Sequence, residues 1–360
     1  MAIRNFALGA LLAHAAQAAL QHKGADWSSV AVLERDINIQ YKDAQGTVKP
    51  LETILAENGI NIVRQRVWVA KGDYDLDYNV ALAKRAKAAG LDVHINLHYS
   101  DSWADPGQQR IPAGWPTDLA GLTTQIYDYT LNVTNTLQAE GIQPAIIDIG
   151  NEIADGLLWP VGRGGQTSWS NTAQLLSSAS KAIRDSDLNP KPKINVHLNG
   201  AADQGVQDFF WQNILKADPN FPSQLDMFSA SFYPFYGPEW NFTRLTNTLT
   251  HMTQLLPGKE FMVSEMAWPF TCAQGGNFAF PPDMRPSIPF NAEGQRTWVS
   301  EVAKRVEAIT GGVGVEYWEI GWVNNAGLAN RSLGQTGCED NIMFEFNGNV
   351  RDSLSVFSTI

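Results

Sequence analysis

The chain repeats one pattern from end to end: a short apolar run rich in β-branched residues, a polar or aromatic cluster, then a stretch with apolar positions near every 3.6 residues. Eight runs fit the strand part of that pattern: Gln21 to Ala25, the weakest, then Ile62 to Val69, Val93 to His98, Ala145 to Ile149, Lys193 to Leu198, Met227 to Phe232, Glu260 to Glu265 and Val313 to Trp318. Helix-compatible segments lie between them. Asn79 to Ala89 carries helical spacing, and Gly90 stands where a helix would end. Strands that alternate with helices pair in parallel through right-handed crossovers. Eight such units predict an α/β fold, a (β/α)8 TIM barrel of roughly 250 core residues, formed as a single domain with extended βα loops. The competing open, doubly wound sheet wants a Gly-x-Gly-x-x-Gly turn after its first strand, and none follows the first run here.

The N-terminus breaks the pattern. Met1 and Arg4 precede a small-and-apolar run, Phe6 to Ala13, which leads to Ala16-Gln17-Ala18. A basic start, a short apolar stretch and an A-x-A exit predict a signal peptide over residues 1–18, and the run is shorter than the roughly 20 residues of a membrane-spanning helix. The catalytic domain is then residues 19–360 of a secreted, extracellular chain; the other reading is a poorly ordered cytosolic arm. In an exported chain, Cys272 and Cys338 read most simply as one disulfide. Asn132, Asn241 and Asn330 each begin an N-x-S/T glycan-acceptor triplet. The net charge of −11, from 37 acidic and 26 basic residues with no basic run, argues against nucleic acid and anionic membranes and favours a neutral polymer as partner. The six histidines show no His-Glu-x-x-His spacing, so the sequence calls for no metal and no cofactor. A monomer is expected.

Barrel active sites form where strands end, which directs attention to Glu152 after the fourth run and Glu265 at the end of the seventh. Strands four and seven lie across a barrel from one another. Two carboxyl groups aimed at one bond from opposite sides are what a retaining glycosidase uses, one as general acid/base and one as nucleophile. A lone glutamate at a strand end is most often a solvated loop residue; the pair is what carries the reading.

Gly150-Asn151-Glu152 with Glu265 resembles the large clan of retaining barrel glycosidases. Arg64-Gln65-Arg66-Val67-Trp68, the loop from His98 to Pro106, and Leu157-Leu158-Trp159-Pro160 narrow this, since they resemble the arabinogalactan endo-β-1,4-galactanases over almost the whole of residues 19–360. That resemblance implies hydrolysis of internal β-1,4-galactosidic bonds in the galactan side chains of pectin, with β-1,4-galactan as the partner. It implies Glu152 as acid/base, Glu265 as nucleophile, Asn151 as the residue that binds the sugar 2-hydroxyl, and Tyr233 as a hydrogen-bond donor to the nucleophile.

Arg64 and Arg66 share a parity in the second strand, so both can point into the barrel, where a guanidinium beside Glu265 keeps it ionised; Arg64 is the preferred contact. Trp103 and Trp318, among 12 tryptophans, are candidate platforms for sugar faces. His98, Asp101, Asp105, His197 and Asn199 sit at or past strand ends, where they either bind hydroxyls or stabilise loops. The chain departs from the family pattern at Met266-Ala267, Ile320-Gly321 and Asn199-Gly200, none of which removes a catalytic group. Two rivals remain on the sequence: another endo-glycanase of the clan, a β-mannanase or xylanase, and an inactive barrel that only binds carbohydrate.

Overall fold

A computed structural model describes residues 19–272, 280–323, 338 and 340–360. The expected signal peptide and Asn330 lie outside these residues. Eight parallel strands close into a barrel in chain order: β1 (His22–Asp26), β2 (Ile62–Val67), β3 (Asp92–Leu97), β4 (Ile146–Ile149), β5 (Lys193–Leu198), β6 (Met227–Phe232), β7 (Glu260–Met266) and β8 (Gly312–Tyr317). β1 pairs with β8 and so completes the ring. The helices that cover it are α1 (Val30–Ile37), α2 (Leu51–Glu57), α3 (Leu76–Ala88), α4 (Leu119–Ala139), α5 (Trp169–Asp185), α6 (Gln204–Ala217), α7 (Phe242–Leu255) and α8 (Ala292–Glu307). None of these is long and apolar enough to cross a membrane.

Side-chain alternation explains the layers. Outward positions such as Val63, Ile95, Ile147, Ile194, Val196 and Val263 are apolar and pack beneath the helices in one large core. Each such side chain contributes about 1.5–3 kcal/mol on burial, and truncating one, as in Ile147→Ala, costs about 2–5 kcal/mol. The helices start on short polar caps. Asp75, Asp118, Asp203, Asn241 and Asn291 each accept a backbone N–H at the N-termini of α3, α4, α6, α7 and α8. The Asp75 cap starts α3 three residues before the expected Asn79.

Inside the barrel the floor is apolar, built by Ile62, Ile146, Met227, Met262 and Val313. Above it the interior turns polar. His94, Asp148, Asn195, Ser229, Ser264 and Glu316 are all buried, with Arg64, Asp26, Asn96 and His197 also buried around them. Cys272 and Cys338 form the disulfide expected of them.

Candidate active site

β4 and β7 present the two glutamates by different devices. After β4 the chain turns through Gly150 at φ +118° to Glu152 at φ +51°. A side chain at Gly150 would put its Cβ 2.8 Å from Ile153 Cγ2, so the turn needs glycine. Glu152 holds a left-handed backbone that non-glycine residues rarely adopt, the kind of local strain that collects at functional sites. In β7 the device is a register slip. Ala230 pairs with Val263, yet Ser231 pairs with Glu265, so Ser264 is an extra residue in the strand. Met262 joins the barrel floor and Ser264 bonds Ser229 inside the barrel. Strict alternation would then send Glu265 outward, towards the helices; the extra residue resets the parity and aims it into the barrel.

Glu265 is buried and held from two sides. Arg64 Nη1 donates to Oε1 at 2.8 Å and the Tyr233 hydroxyl donates to Oε2 at 2.9 Å. Arg64 has further partners. Its Nη1 also reaches Asp26 at 3.2 Å, Nη2 donates to Asn151 Oδ1 at 2.9 Å, and Nε lies 3.5 Å from Asp148. Asn96 Nδ2 also donates to Asn151 Oδ1, at 2.7 Å. Asn151 Nδ2 donates to the Ala104 carbonyl at 2.8 Å.

These surroundings divide the two carboxyl groups. Burial and the negative charge of Glu265 push Glu152 up to about 8. Burial also raises Glu265, but the Arg64 charge and the Tyr233 hydroxyl pull against it. Two cationic or hydroxyl donors favour the charge on Glu265, so the shared proton belongs on Glu152 at neutral pH.

Arg66, two residues further along β2, serves a different neighbourhood. It pairs with Glu319 and Ser29 rather than with Glu265. Its guanidinium lies 4.3 Å from the Tyr74 ring, 4.5 Å from Trp103 and 5.4 Å from Trp322. Trp103 and Trp318 come together at 6.5 Å, and Trp322 stacks against Trp103 at 6.3 Å with an interplanar angle of 16°. The two expected platforms therefore form one aromatic wall with a third member.

Several hydroxyl-binding candidates are already occupied. Asp101 accepts the Ala113 amide at 2.7 Å, and Asp105 accepts Gly107 N and Gln108 Nε2, each at 3.0 Å, so both carboxylates tie down their own loop. His98 accepts the Ala104 amide on Nδ1 at 3.2 Å. His197 does stand at the end of β5, one residue before Leu198. It lies wholly buried inside the barrel, with Nδ1 at Arg64 and Nε2 at Ser231. Asn199 is half-buried, and its buried Oδ1 has no hydrogen-bond partner among the described residues. Asn132 is exposed on α4, while Asn241 caps α7 through its Oδ1.

Asp26, Asn96, Asp148, Ser231, Glu319 and Trp322 were not among the expected site residues. A signal for several lies in the strands: His94-Ile95-Asn96, Ile147-Asp148-Ile149 and Ser229-Ala230-Ser231 alternate polar with apolar, and the polar member faces the barrel. Glu319 and Trp322 lie in a turn past β8, where no periodicity points to them.

A closed barrel with two carboxyl groups where β4 and β7 end, one pushed up to about 8 and one held by an arginine and a tyrosine, has the equipment of a glycoside hydrolase. The chain belongs to glycosyl hydrolase family 53, whose model matches residues 22–357. It is 48% identical over 344 residues to the arabinogalactan endo-beta-1,4-galactanase of Thermothelomyces thermophilus, covering 95% of this chain and 100% of the relative. A solved structure from work on two fungal beta-1,4-galactanases superposes with a TM-score of 0.89 at 48% identity, covering 95% of this chain and 100% of that one. The GH53 catalytic domain of Ignisphaera aggregans superposes at 0.77 with 29% identity, covering 94% and 95%.

Proposed function

We propose that this chain is a secreted arabinogalactan endo-β-1,4-galactanase that cleaves internal β-1,4-galactosidic bonds of pectic galactan with net retention. The contrast between the two glutamates carries the reading. Glu265, held by Arg64 and Tyr233, has the surroundings of a nucleophile; Glu152, pushed up to about 8, has those of an acid that keeps its proton at working pH. In the first step Glu265 bonds to the anomeric carbon while the bond to the leaving oxygen breaks and Glu152 hands that oxygen its proton. Glu152, now a carboxylate, takes a proton from water, whose oxygen displaces Glu265. Asn151 Nδ2 faces the 2-hydroxyl, and Trp103, Trp318 and Trp322 offer ring faces to the sugars. Residues 1–18 direct export, so secreted material starts at Ala19.

The reading is tested on linear β-1,4-galactan, with mannan and xylan beside it. Early NMR spectra of the galactan digest are expected to show β-anomer; early α-anomer, or turnover confined to mannan or xylan, would overturn it. Glu265→Ala separates an enzyme from a binding barrel. It is expected to reduce galactan turnover on the order of 10⁴-fold or more while the chain stays folded.

A further inference from the structure

Tyr236 is the most exposed large hydrophobic side chain among the described residues, at 66%. A single exposed ring means little by itself; where this one stands gives it meaning. β6 ends at Phe232, and the chain continues through Tyr233 into a short 3-10 turn, Pro234–Tyr236. All eight strands are parallel, so this turn lies at the end of the barrel where β4 and β7 finish. Pro234 opens the turn, and the Tyr236 amide closes it on the Tyr233 carbonyl at 3.2 Å. Phe235 is buried and packs on Phe280, with ring centroids 5.9 Å apart, which fixes the turn in place. The Tyr236 ring then lies 5.9 Å from that of Tyr233, whose hydroxyl donates to Glu265. Enough protein surrounds Tyr236 that desolvation, then the charges of Glu152 and Glu265, raise its hydroxyl above the ordinary tyrosine value. A side chain both open to water and walled in lines a concave surface.

The strand order sets this ring against the tryptophans. Trp103 follows β3, while Trp318 and Trp322 follow β8, so the aromatic wall spans the arc from β8 through β1 and β2 to β3. The middle of the opposite arc is β5 and β6, and Tyr236 follows β6. Between wall and tyrosine stand β4, which leads to Glu152, and β7, which carries Glu265. A glycan laid along the wall and across the two carboxyl groups therefore leaves the cleft over Tyr236. We infer that Tyr236 is the platform for the sugar on the leaving-group side of the scissile bond, its ring set against the apolar face of a galactose. The assignment rests on Glu152 and Glu265 being the acid/base and the nucleophile. Glu152 hands its proton to the departing oxygen, and of the two carboxyl groups it is the one whose charge acts more strongly on Tyr236. Once the first sugar has left, the same platform holds an incoming glycan in place of water. The hydroxyl oxygen of that glycan bonds to the anomeric carbon as the bond to Glu265 breaks, and Glu152 takes the hydroxyl proton.

The test separates transfer from hydrolysis. Dinitrophenyl β-galactobioside loads the enzyme without a leaving sugar, and added galactobiose then competes with water for the glycosyl-enzyme. Tyr236→Ala is expected to raise the galactobiose concentration for half-maximal transfer about 10-fold, the size of effect for one lost ring contact. Hydrolysis of the same substrate, in which water alone attacks, should change less than about 3-fold. Tyr236→Phe keeps the ring and should transfer as the wild-type chain does. An unchanged half-maximal concentration in Tyr236→Ala would overturn the inference. So would hydrolysis that falls as far as transfer, which is what a merely structural residue gives, or a wild-type glycosyl-enzyme that never transfers to galactobiose. Mass spectrometry of the acid-quenched reaction checks the reading underneath. A wild-type chain with no galactobiosyl adduct loses the retaining mechanism, and this inference with it; an adduct beside a Tyr236→Ala that transfers normally sinks the inference alone.

Discussion

Arg64 and Arg66 stand two residues apart on β2, share the barrel interior and are equally buried, at 1% exposure each. Their partners do not overlap beyond Asp26. Arg64 sits lower, where β7 brings Glu265 and β4 brings Asn151, and five of its neighbours are charged or polar groups of the candidate site. Arg66 is one pleat higher, against Glu319 and the aromatic wall of Trp103 and Trp322. Parity decides that a residue enters the barrel; height along the strand decides whether it meets the chemistry or the walls of the cleft.

The largest expected effect follows from that difference. Arg64→Met strands Asp26, Asp148 and Glu265 without their shared cation, so turnover on galactan should fall on the order of 10³-fold, chiefly in kcat, and stability by about 3–5 kcal/mol in urea unfolding. Arg66→Met should act mainly on binding. With the wall unanchored, KM is expected to rise about 10-fold while kcat stays within about 3-fold. Equal kcat losses in the two variants would erase the distinction.

Arg66→Met also has a pH signature. Burial, with the Asp26 charge adding to it, already pushes Glu319 up to about 7 against the pull of Arg66, and removing that pull raises it further. A carboxyl with a folded pKa above its unfolded value of about 4.3 keeps a proton that the unfolded chain has released, so stability falls as pH rises through that interval. The wild-type contribution stops falling near 7. The variant goes on falling, so the stability gap between them should widen above pH 7; a gap that is flat with pH would show that Arg66 does not hold Glu319.

Much of this comparison is legible in the sequence, and its limits are physical. β5 and β6 occupy the expected Lys193–Leu198 and Met227–Phe232 because each is a bounded apolar run. β2 was expected to run to Val69 but ends at Val67, since the Trp68 amide turns to the Tyr74 carbonyl instead of a neighbouring strand. Shared parity was enough to place both arginines inside. What separates them is long-range: Glu319 and Trp322 reach Arg66 from beyond β8, over more than 250 positions of chain. The inward aim of Glu265 depends on the extra residue at Ser264, and composition gives no sign of a slip made with the neighbouring strand. His197 looked like a strand-end ligand because nothing local reveals that Arg64 and Ser231 already engage both ring nitrogens.

A smaller effect sharpens the account of the lower arginine, which divides the proton between the two glutamates. Glu265→Gln removes the charge that helps raise Glu152, so Glu152 should titrate below its wild-type value of about 8. Carbon-13 NMR of labelled glutamate side chains reads this directly. Arg64→Lys should move Glu152 far less, because the cation persists. An unmoved Glu152 in Glu265→Gln would show that burial alone sets its value.

The smallest effect on turnover is expected one layer further down, where His94 lies between Asp148 and Glu316, at 2.7 Å from the first and 2.9 Å from the second. Burial opposes a charged ring there, yet the two carboxylates overcome it and push His94 up to about 9, while burial of Asp148 is outweighed by His94 and Arg64, which bring it down to about 2. A histidine raised in the folded state stabilises fully below its unfolded value of about 6.5, and that contribution is lost as pH climbs through 9. His94→Gln should therefore cost most stability below pH 6.5, and its deficit should shrink towards pH 9 by roughly 1 kcal/mol per unit. Turnover should change only a few-fold, since Arg64 keeps Asp26, Glu265 and Asn151 even if Asp148 shifts. A loss in kcat as large as that of Arg64→Met would mean that the lower layer, and not the arginine alone, holds the nucleophile in place.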